Sequence, residues 1–278
     1  MPNFSANLSM LYLDLDFLDR FEAAAKDGFK GVEFWFPYEE TAHTVAAKLH
    51  EHDLTCVGIN SPAGDIARGD WGLAVDPQRR GEFIDSVEQA MSYAQSIDCA
   101  KVHVMAGNRA EGLTDAEAWD LYKDNIARAC DIARRHGRRV MVEPLNAVDR
   151  PGYYLSRQDQ AIELVQSLQQ GNLGIMLDLF HLQRGEGNLV ERMRKSLPFA
   201  EHVQIADVPG RHEPGTGEIN FPFVFSELQR LGYDGWIGCE YAPQDSTRDG
   251  LVWMRAICEP DRSVQMPTEN LGNKGETR

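Results

Sequence analysis

The chain has 278 residues, 42% of them hydrophobic, so it can bury a substantial core and is long enough for one large α/β barrel or two small domains. Its formal net charge of -15 repels phosphate backbones, and no basic stripe counters that field, which argues against a nucleic-acid partner. No apolar run reaches membrane-spanning length and no basic leader precedes an apolar stretch, so neither a membrane nor secretion is indicated and a cytoplasmic protein is expected.

Eight β-like apolar runs are predicted in chain order, at residues 4–11, 31–36, 55–60, 101–106, 139–145, 174–179, 202–207 and 236–241. Between them lie segments of helical period. Phe17, Leu18, Phe21 and Ala25 form one apolar face, and Phe83, Val87, Ala90, Met91 and Ala94 another. Leu121, Ile126, Ala129 and Ile132 follow, then Ile162, Val165 and Leu168, and finally Phe225, Leu228 and Leu231. Strand and helix in steady alternation predict a parallel sheet covered by helices. Gly28, Gly137, Gly171 and Gly232 stand where a left-handed residue closes a helix ahead of a strand. The connections after the strands are longer and more polar, notably 61–76, 107–114 and 207–220, as in barrels that build their sites at the strand C-termini. A doubly wound sheet is the alternative, but no glycine-rich dinucleotide turn follows the first run. Residues 1–258 are expected to form the folded unit and 259–278 a loose polar tail. Cys56, Cys99, Cys130, Cys239 and Cys258 are odd in number and irregularly spaced, and read as reduced core thiols.

Glu143, Asp178, Gln204 and Glu240 stand near the ends of four successive apolar runs. One acid in an apolar run usually marks a strand end or a paired charge. Four in neighbouring runs bring three carboxylates and an amide together, which is untenable unless a cation neutralises them or protons are taken up. The cluster therefore predicts one divalent metal held by Glu143, Asp178, Gln204 and Glu240. The all-oxygen donor set favours Mg2+ or Mn2+ over zinc. Glu143 and Glu240, on the outer two runs, can flank a substrate and move a proton beside a carbonyl through an enediolate, with no organic cofactor. His181, three residues after Asp178, can donate to a substrate oxygen, and Arg211 and His212 in a following loop can receive a carboxylate or hydroxyl. Trp71 in a long loop can cover the mouth, and Trp35 can wall it. His43, His50, His52 and His136 fall in helical segments and read as surface residues.

Six motifs, Asn7-Leu8-Ser9-Met10, Pro62-Ala63-Gly64-Asp65, Glu143-Pro144-Leu145-Asn146, Pro151-Gly152-Tyr153, Asp178-Leu179-Phe180-His181 and Gly215-Thr216-Gly217-Glu218-Ile219, occur in this order. With them the chain resembles the hydroxypyruvate isomerase family, within the xylose-isomerase-like barrel superfamily that also holds 2-oxo-tetronate isomerases and sugar epimerases. The resemblance covers most of residues 3–256. It implies a single (β/α)8 TIM barrel, acid and base roles for Glu143 and Glu240, and metal ligation by Glu143, Asp178, Gln204 and Glu240. Related ketose epimerases usually carry histidine where this chain has Gln204, so the departure points toward the isomerases. In those epimerases the residues matching His181 and Arg211 contact substrate, and Asp149 stands where they carry a substrate-contacting glutamate.

The leading expectation is a metal-dependent isomerase of a short 2-oxo acid, converting hydroxypyruvate to tartronate semialdehyde or 2-oxo-tetronate to 3-oxo-tetronate. A ketose 3-epimerase is the alternative. More distant are an endonuclease IV-like nuclease, disfavoured by charge and by too few histidines at strand ends, and a non-catalytic sugar-binding barrel. The expected partner is a small oxo acid or sugar, and the sequence leaves room for a homo-oligomer.

Overall fold

The computed structural model describes residues 2–258, so the predicted tail at 259–278 and the side chain of Cys258 lie outside what is described. Eight parallel strands close into a barrel in chain order: β1 (Asn3–Asn7), β2 (Gly31–Phe34), β3 (Thr55–Asn60), β4 (Lys101–His103), β5 (Arg139–Val142), β6 (Leu173–Asp178), β7 (Ala200–Ile205) and β8 (Trp236–Cys239). Closure comes from β8, which pairs with β1 from Asn3↔Trp236 to Ala6↔Cys239. The barrel reading holds, and the doubly wound alternative is excluded.

The ladders end earlier than the apolar runs. The run at 101–106 pairs only to His103, that at 139–145 only to Val142, and that at 236–241 only to Cys239. Their apolar remainders, including Val104, Ala106, Leu145 and Tyr241, stay buried because the loops of the mouth fold over them. Glu143 and Glu240 thus each follow the last ladder residue, where the backbone is free to turn a side chain inward.

The helices are α1 (Arg20–Lys26), α2 (Ala42–Glu51), α3 (Arg80–Ser96), α4 (Asp115–Arg135), α5 (Gln158–Leu168), α6 (Leu179–Glu186), α7 (Leu189–Ser196) and α8 (Phe221–Arg230), with short helical turns between them and two further short helices, Thr247–Gly250 and Val252–Cys258, after β8. α3 buries Phe83, Val87, Ala90, Met91 and Ala94, the face its period predicts. α4 begins in a capping box: Thr114 accepts from the Glu117 amide while the Glu117 carboxylate accepts from Thr114. Gly28, Gly137 and Gly232 take φ values of 95°, 65° and 78° behind their helices, as expected. Gly171 does not. The left-handed residue after α5 is Gln169, with φ 49°, two positions earlier. Cys56, Cys99, Cys130 and Cys239 are buried, in keeping with their reading as core residues.

Apolar residues such as Val140, Val142, Ile175, Leu177, Val203 and Ile205 pack in the core. The barrel interior is partly polar. His202 of β7 meets Glu33 of β2 at 2.6 Å, a contact between strands separated by β8 and β1, so both side chains point into the barrel. Apolar filling in three layers of four side chains is the common solution for such an interior. Here one sector of it is a hydrogen-bonded network instead.

Candidate active site

Asp178 ends β6 and caps α6. Its Oδ1 accepts from the Phe180 amide at 2.8 Å, which fixes the carboxylate and leaves Oδ2 toward the mouth. Glu143, at the end of β5, lies beside it, and Glu143, Asp178 and His181 bring ligand atoms within 4.8 Å of one another, a cluster that could hold a metal ion. Glu143 Oε1 is buried without a hydrogen-bond partner. Gln204 is paired with Asp178 across the β6–β7 ladder, and its Oε1 is likewise buried and unpartnered. Glu240 is differently engaged: Oε1 accepts from Trp35 Nε1 at 2.6 Å and Asn7 Nδ2 at 2.9 Å, and Oε2 from Arg211 at 2.6 Å. Arg211 also reaches Asp178 Oδ2 at 3.5 Å, so its guanidinium bridges two of the four predicted ligands.

The electrostatics follow from crowding. Burial, then the charges of Glu240 and Asp178, push the Glu143 carboxyl well above the usual carboxylate range. Burial pushes Glu240 up to about 7 against the opposing pull of Arg211, and Asp178 is raised by burial against the same cation. Three carboxylates share the Arg211 guanidinium and leave charge unneutralised, and the acceptor oxygens Glu143 Oε1 and Gln204 Oε1 are buried without partners. The donor set present therefore fits a cation.

His181 Nδ1 accepts from the Asn146 backbone amide at 3.2 Å and lies 2.6 Å from Asn146 Nδ2. A backbone N–H can only donate, so the ring proton belongs on Nε2, assigned here from the hydrogen-bond pattern. That nitrogen lies 3.7 Å from Asp178 and 4.0 Å from Glu143. Burial, with Arg211 and Arg150 nearby, keeps the imidazole pKa well below its ordinary value. In the metal-free site His181 thus presents a neutral N–H to the space between the carboxylates, as a donor. His103, at the end of β4, is held near pKa 3 by burial and sits 3.4 Å from Glu143 with neither ring nitrogen hydrogen-bonded.

Below these groups sits Glu33. Its carboxylate accepts from Ser5 at 3.0 Å, Asn7 at 3.2 Å and Gln204 at 2.7 Å, and meets His202 at 2.6 Å. Burial opposes its ionisation, yet His202 and the hydrogen bonds from His202, Gln204 and Ser5 hold the carboxyl below the usual range. The Gln204 amide nitrogen is spent on Glu33 and its oxygen is left unpartnered, in a small cavity it shares with Glu33 and His202 below the mouth. Asn7 joins the two levels, bonding both Glu33 and Glu240, and its own oxygen is fixed by the Ser9 amide.

The mouth cavity, about 30 Å³, is lined by residues that include Trp35, Trp71, His103, Glu143, Arg150, His181, Arg211 and Glu240. That holds about one or two waters, so a substrate requires the rim to shift. A larger depression of 400 Å³ lies at the strand N-termini beside Lys101 and Glu201, where Arg139 already pairs Glu201, and one of 200 Å³ opens on the rim beside Trp71, Asp149 and Arg150. Trp71 and Trp35 both reach the mouth. Arg211 is brought there by a loop whose anchor is Asp207, which accepts from the amides of Val208, Gly215, Gly217 and Ile219. His212 is not brought there: its Nδ1 is bonded to the Ala242 carbonyl at 2.7 Å, outside the cavity lining. Asp149 is tied to Arg184 and Asn146. Of the four helical histidines, His43 and His50 are exposed, while His52 and His136 are half-buried. Sequence reasoning missed Glu33, His103, His202 and Arg150. The first three carry the same signal as the quartet, a polar residue inside an apolar run; Arg150 carries none.

A family model described as xylose isomerase-like TIM barrel matches residues 21–257. The 2-oxo-tetronate isomerase of Cupriavidus necator is 43% identical over 255 residues, covering 92% of this chain and 98% of that protein. The hydroxypyruvate isomerase of Escherichia coli is 42% identical over 258 residues, covering 91% and 98%. Among solved structures, one described as an AP endonuclease, family 2, from Brucella melitensis superposes with a TM-score of 0.88 at 44% identity, covering 91% of this chain and 98% of that one.

Proposed function

The chain belongs to the xylose isomerase-like TIM barrel family and is an isomerase related to the 2-oxo-tetronate and hydroxypyruvate isomerases; from that premise we propose that it interconverts the carbonyl and hydroxyl positions of a three- or four-carbon 2-oxo acid by proton transfer. The observation that carries this reading is the pair Glu143 and Glu240 lining one cavity with the Nε2–H of His181. Both glutamates are buried carboxyls of raised proton affinity, suited to take and return a proton near neutrality.

One glutamate removes the proton from the hydroxyl-bearing carbon, and the electron pair moves onto the carbonyl oxygen to give an enediolate. The hydroxyl proton passes to that oxygen, and a glutamate returns the carbon-bound proton at the neighbouring carbon, so atoms and charge balance. His181 donates to the oxygen on which charge develops. Glu143, Asp178 and Gln204 would hold a divalent cation, Mg2+ or Mn2+ by their oxygen chemistry, with Glu240, which Arg211 engages at 2.6 Å, as the fourth expected ligand. Such a cation, when bound, would supply Lewis-acid polarisation to the site. Trp35 and Trp71 keep water from the reacting carbons.

The test is turnover of hydroxypyruvate and 2-oxo-tetronate in deuterated water with Mg2+ or Mn2+. Deuterium should enter the carbon beside the carbonyl, whereas turnover without exchange would indicate a hydride shift and sink the acid–base assignment. The name carried by the Brucella structure supports a second reading, a nuclease at abasic sites. The net charge of -15 opposes it. Cleavage of an abasic duplex at rates above those on oxo acids would reverse the order.

A further inference from the structure

Arg150 is the cation in the mouth that the reaction above leaves without a task. It follows Asp149 in the loop after β5, lines the same cavity as Glu143, His181, Arg211 and Glu240, and lays its guanidinium 3.7 Å from the centre of the Trp71 ring. The nearby charges are committed elsewhere. Asp149 Oδ1 takes Arg184 Nε at 3.0 Å and Oδ2 takes Asn146 at 2.9 Å, while Arg211 is shared by Glu240 and Asp178. Among the described residues lining the cavity, Arg150 is the guanidinium with no carboxylate partner. An arginine stacked on an aromatic face keeps its edge N–H groups free, in the planar fork that matches a carboxylate. Burial, and next the neighbouring Arg211, disfavour its charge against the opposing pull of Asp149.

We propose that Arg150, braced by Trp71, receives the substrate carboxylate in a bidentate contact and makes this site select 2-oxo acids over neutral ketoses. The inference rests on the oxo-acid reading above and names the group that reads the acid. Carboxylate recognition at the rim leaves the hydroxyl and carbonyl carbons to point down between Glu143 and Glu240. It also separates two jobs for arginine: Arg211 balances the buried carboxylates, and Arg150 balances the substrate.

The experiment compares hydroxypyruvate with dihydroxyacetone, its neutral counterpart in which a CH2OH group replaces the carboxylate, by deuterium exchange in the metal-loaded enzyme. Arg150→Gln should lower kcat/KM on hydroxypyruvate by about 100-fold, chiefly through KM, since a charged bidentate contact is lost. Exchange into dihydroxyacetone should change by less than about threefold, because that contact is absent with a neutral substrate. Arg150→Lys, which keeps the charge but not the fork, should fall between the two and guards against a folding defect. Inhibition by D-glycerate, an acid that cannot isomerise here, should weaken in parallel with KM. A wild-type enzyme inert on every oxo acid overturns the oxo-acid reading and this assignment with it. An active wild type whose Arg150→Gln variant keeps its KM, or loses both substrates equally, overturns the assignment alone.

Discussion

Two carboxylate levels sit one above the other in this barrel, and they are built on opposite principles. At the lower level Glu33 is saturated: Ser5, Asn7, His202 and Gln204 all meet its oxygens, and its carboxyl is held below the usual range. At the upper level Glu143 has an oxygen with no partner, and the carboxyls of Glu143, Asp178 and Glu240 are all raised. A saturated buried charge is a brace, because its partners lose their bonds if it goes. An unsaturated one is held ready for something the protein does not itself supply. The lower level serves the upper by holding Gln204 and Asn7 in fixed orientations.

The sharpest way to break this contrast is to remove charge at each level. Glu240→Gln and Glu143→Gln should each abolish solvent deuterium exchange, with rates falling by about 10³-fold or more, since a proton carrier is lost. Glu143→Gln should not lower the melting temperature of the metal-free protein, because a neutral amide replaces a crowded carboxylate, whereas Glu240→Gln should lower it, because the half-buried Arg211 loses its 2.6 Å partner. Calorimetric scans alongside exchange rates measure both. Retained exchange in Glu240→Gln would remove that residue from the chemistry, and a large drop in stability in Glu143→Gln would show that the unsaturated carboxylate is a brace as well.

Glu33→Ala should do the reverse in its first effect. Stranding His202, Ser5 and the Gln204 amide in the barrel interior should destabilise the fold by about 3–5 kcal/mol, as breaking a buried charged network does. With Gln204 no longer oriented, affinity for Mn2+ should fall by about 10- to 100-fold, the usual loss when a group that orients a metal ligand is removed. Titration calorimetry of Mn2+ below the melting transition reads the second effect apart from the first. An unchanged affinity would mean that Gln204 is no ligand. Chelation of wild-type enzyme should remove activity and leave the circular dichroism spectrum intact, since the lower level does not depend on the ion.

How much of this was legible in the sequence divides along the same line. The quartet shows itself because its members end consecutive runs, so the parallel neighbours β5 to β8 place them side by side without any further assumption. Glu33 lies inside an equally apolar run, Gly-Val-Glu-Phe, yet its partners Gln204 and His202 come from β7, and only closure of β8 on β1 brings them within reach. A residue's partners across a closed barrel are long-range in sequence and leave no local period to read. Gln169 shows a smaller limit, since a glycine two residues on looks the better candidate until the helix is seen to end first. Arg150 has no local signal at all: its meaning lies in what Asp149 and Arg211 have already done with their charges.

Gly238 gives the mildest perturbation and isolates geometry from charge. It lies on β8, paired with Gln204 and Ser5, and a Cβ there would stand 2.5 Å from both Glu33 carboxylate oxygens. Glycine at this position is a requirement of close approach, not of backbone angle. Gly238→Ala leaves every charge in place but forces the Glu33 carboxylate to move, at a cost of about 1–3 kcal/mol. If the lower level orients the upper, Mn2+ affinity and deuterium exchange should fall together, by less than in Glu33→Ala, while KM for the oxo acid stays near the wild-type value because Arg150 is untouched. If instead exchange is unchanged once stability is accounted for, Gln204 does not need Glu33 to hold its amide, and the two levels are independent.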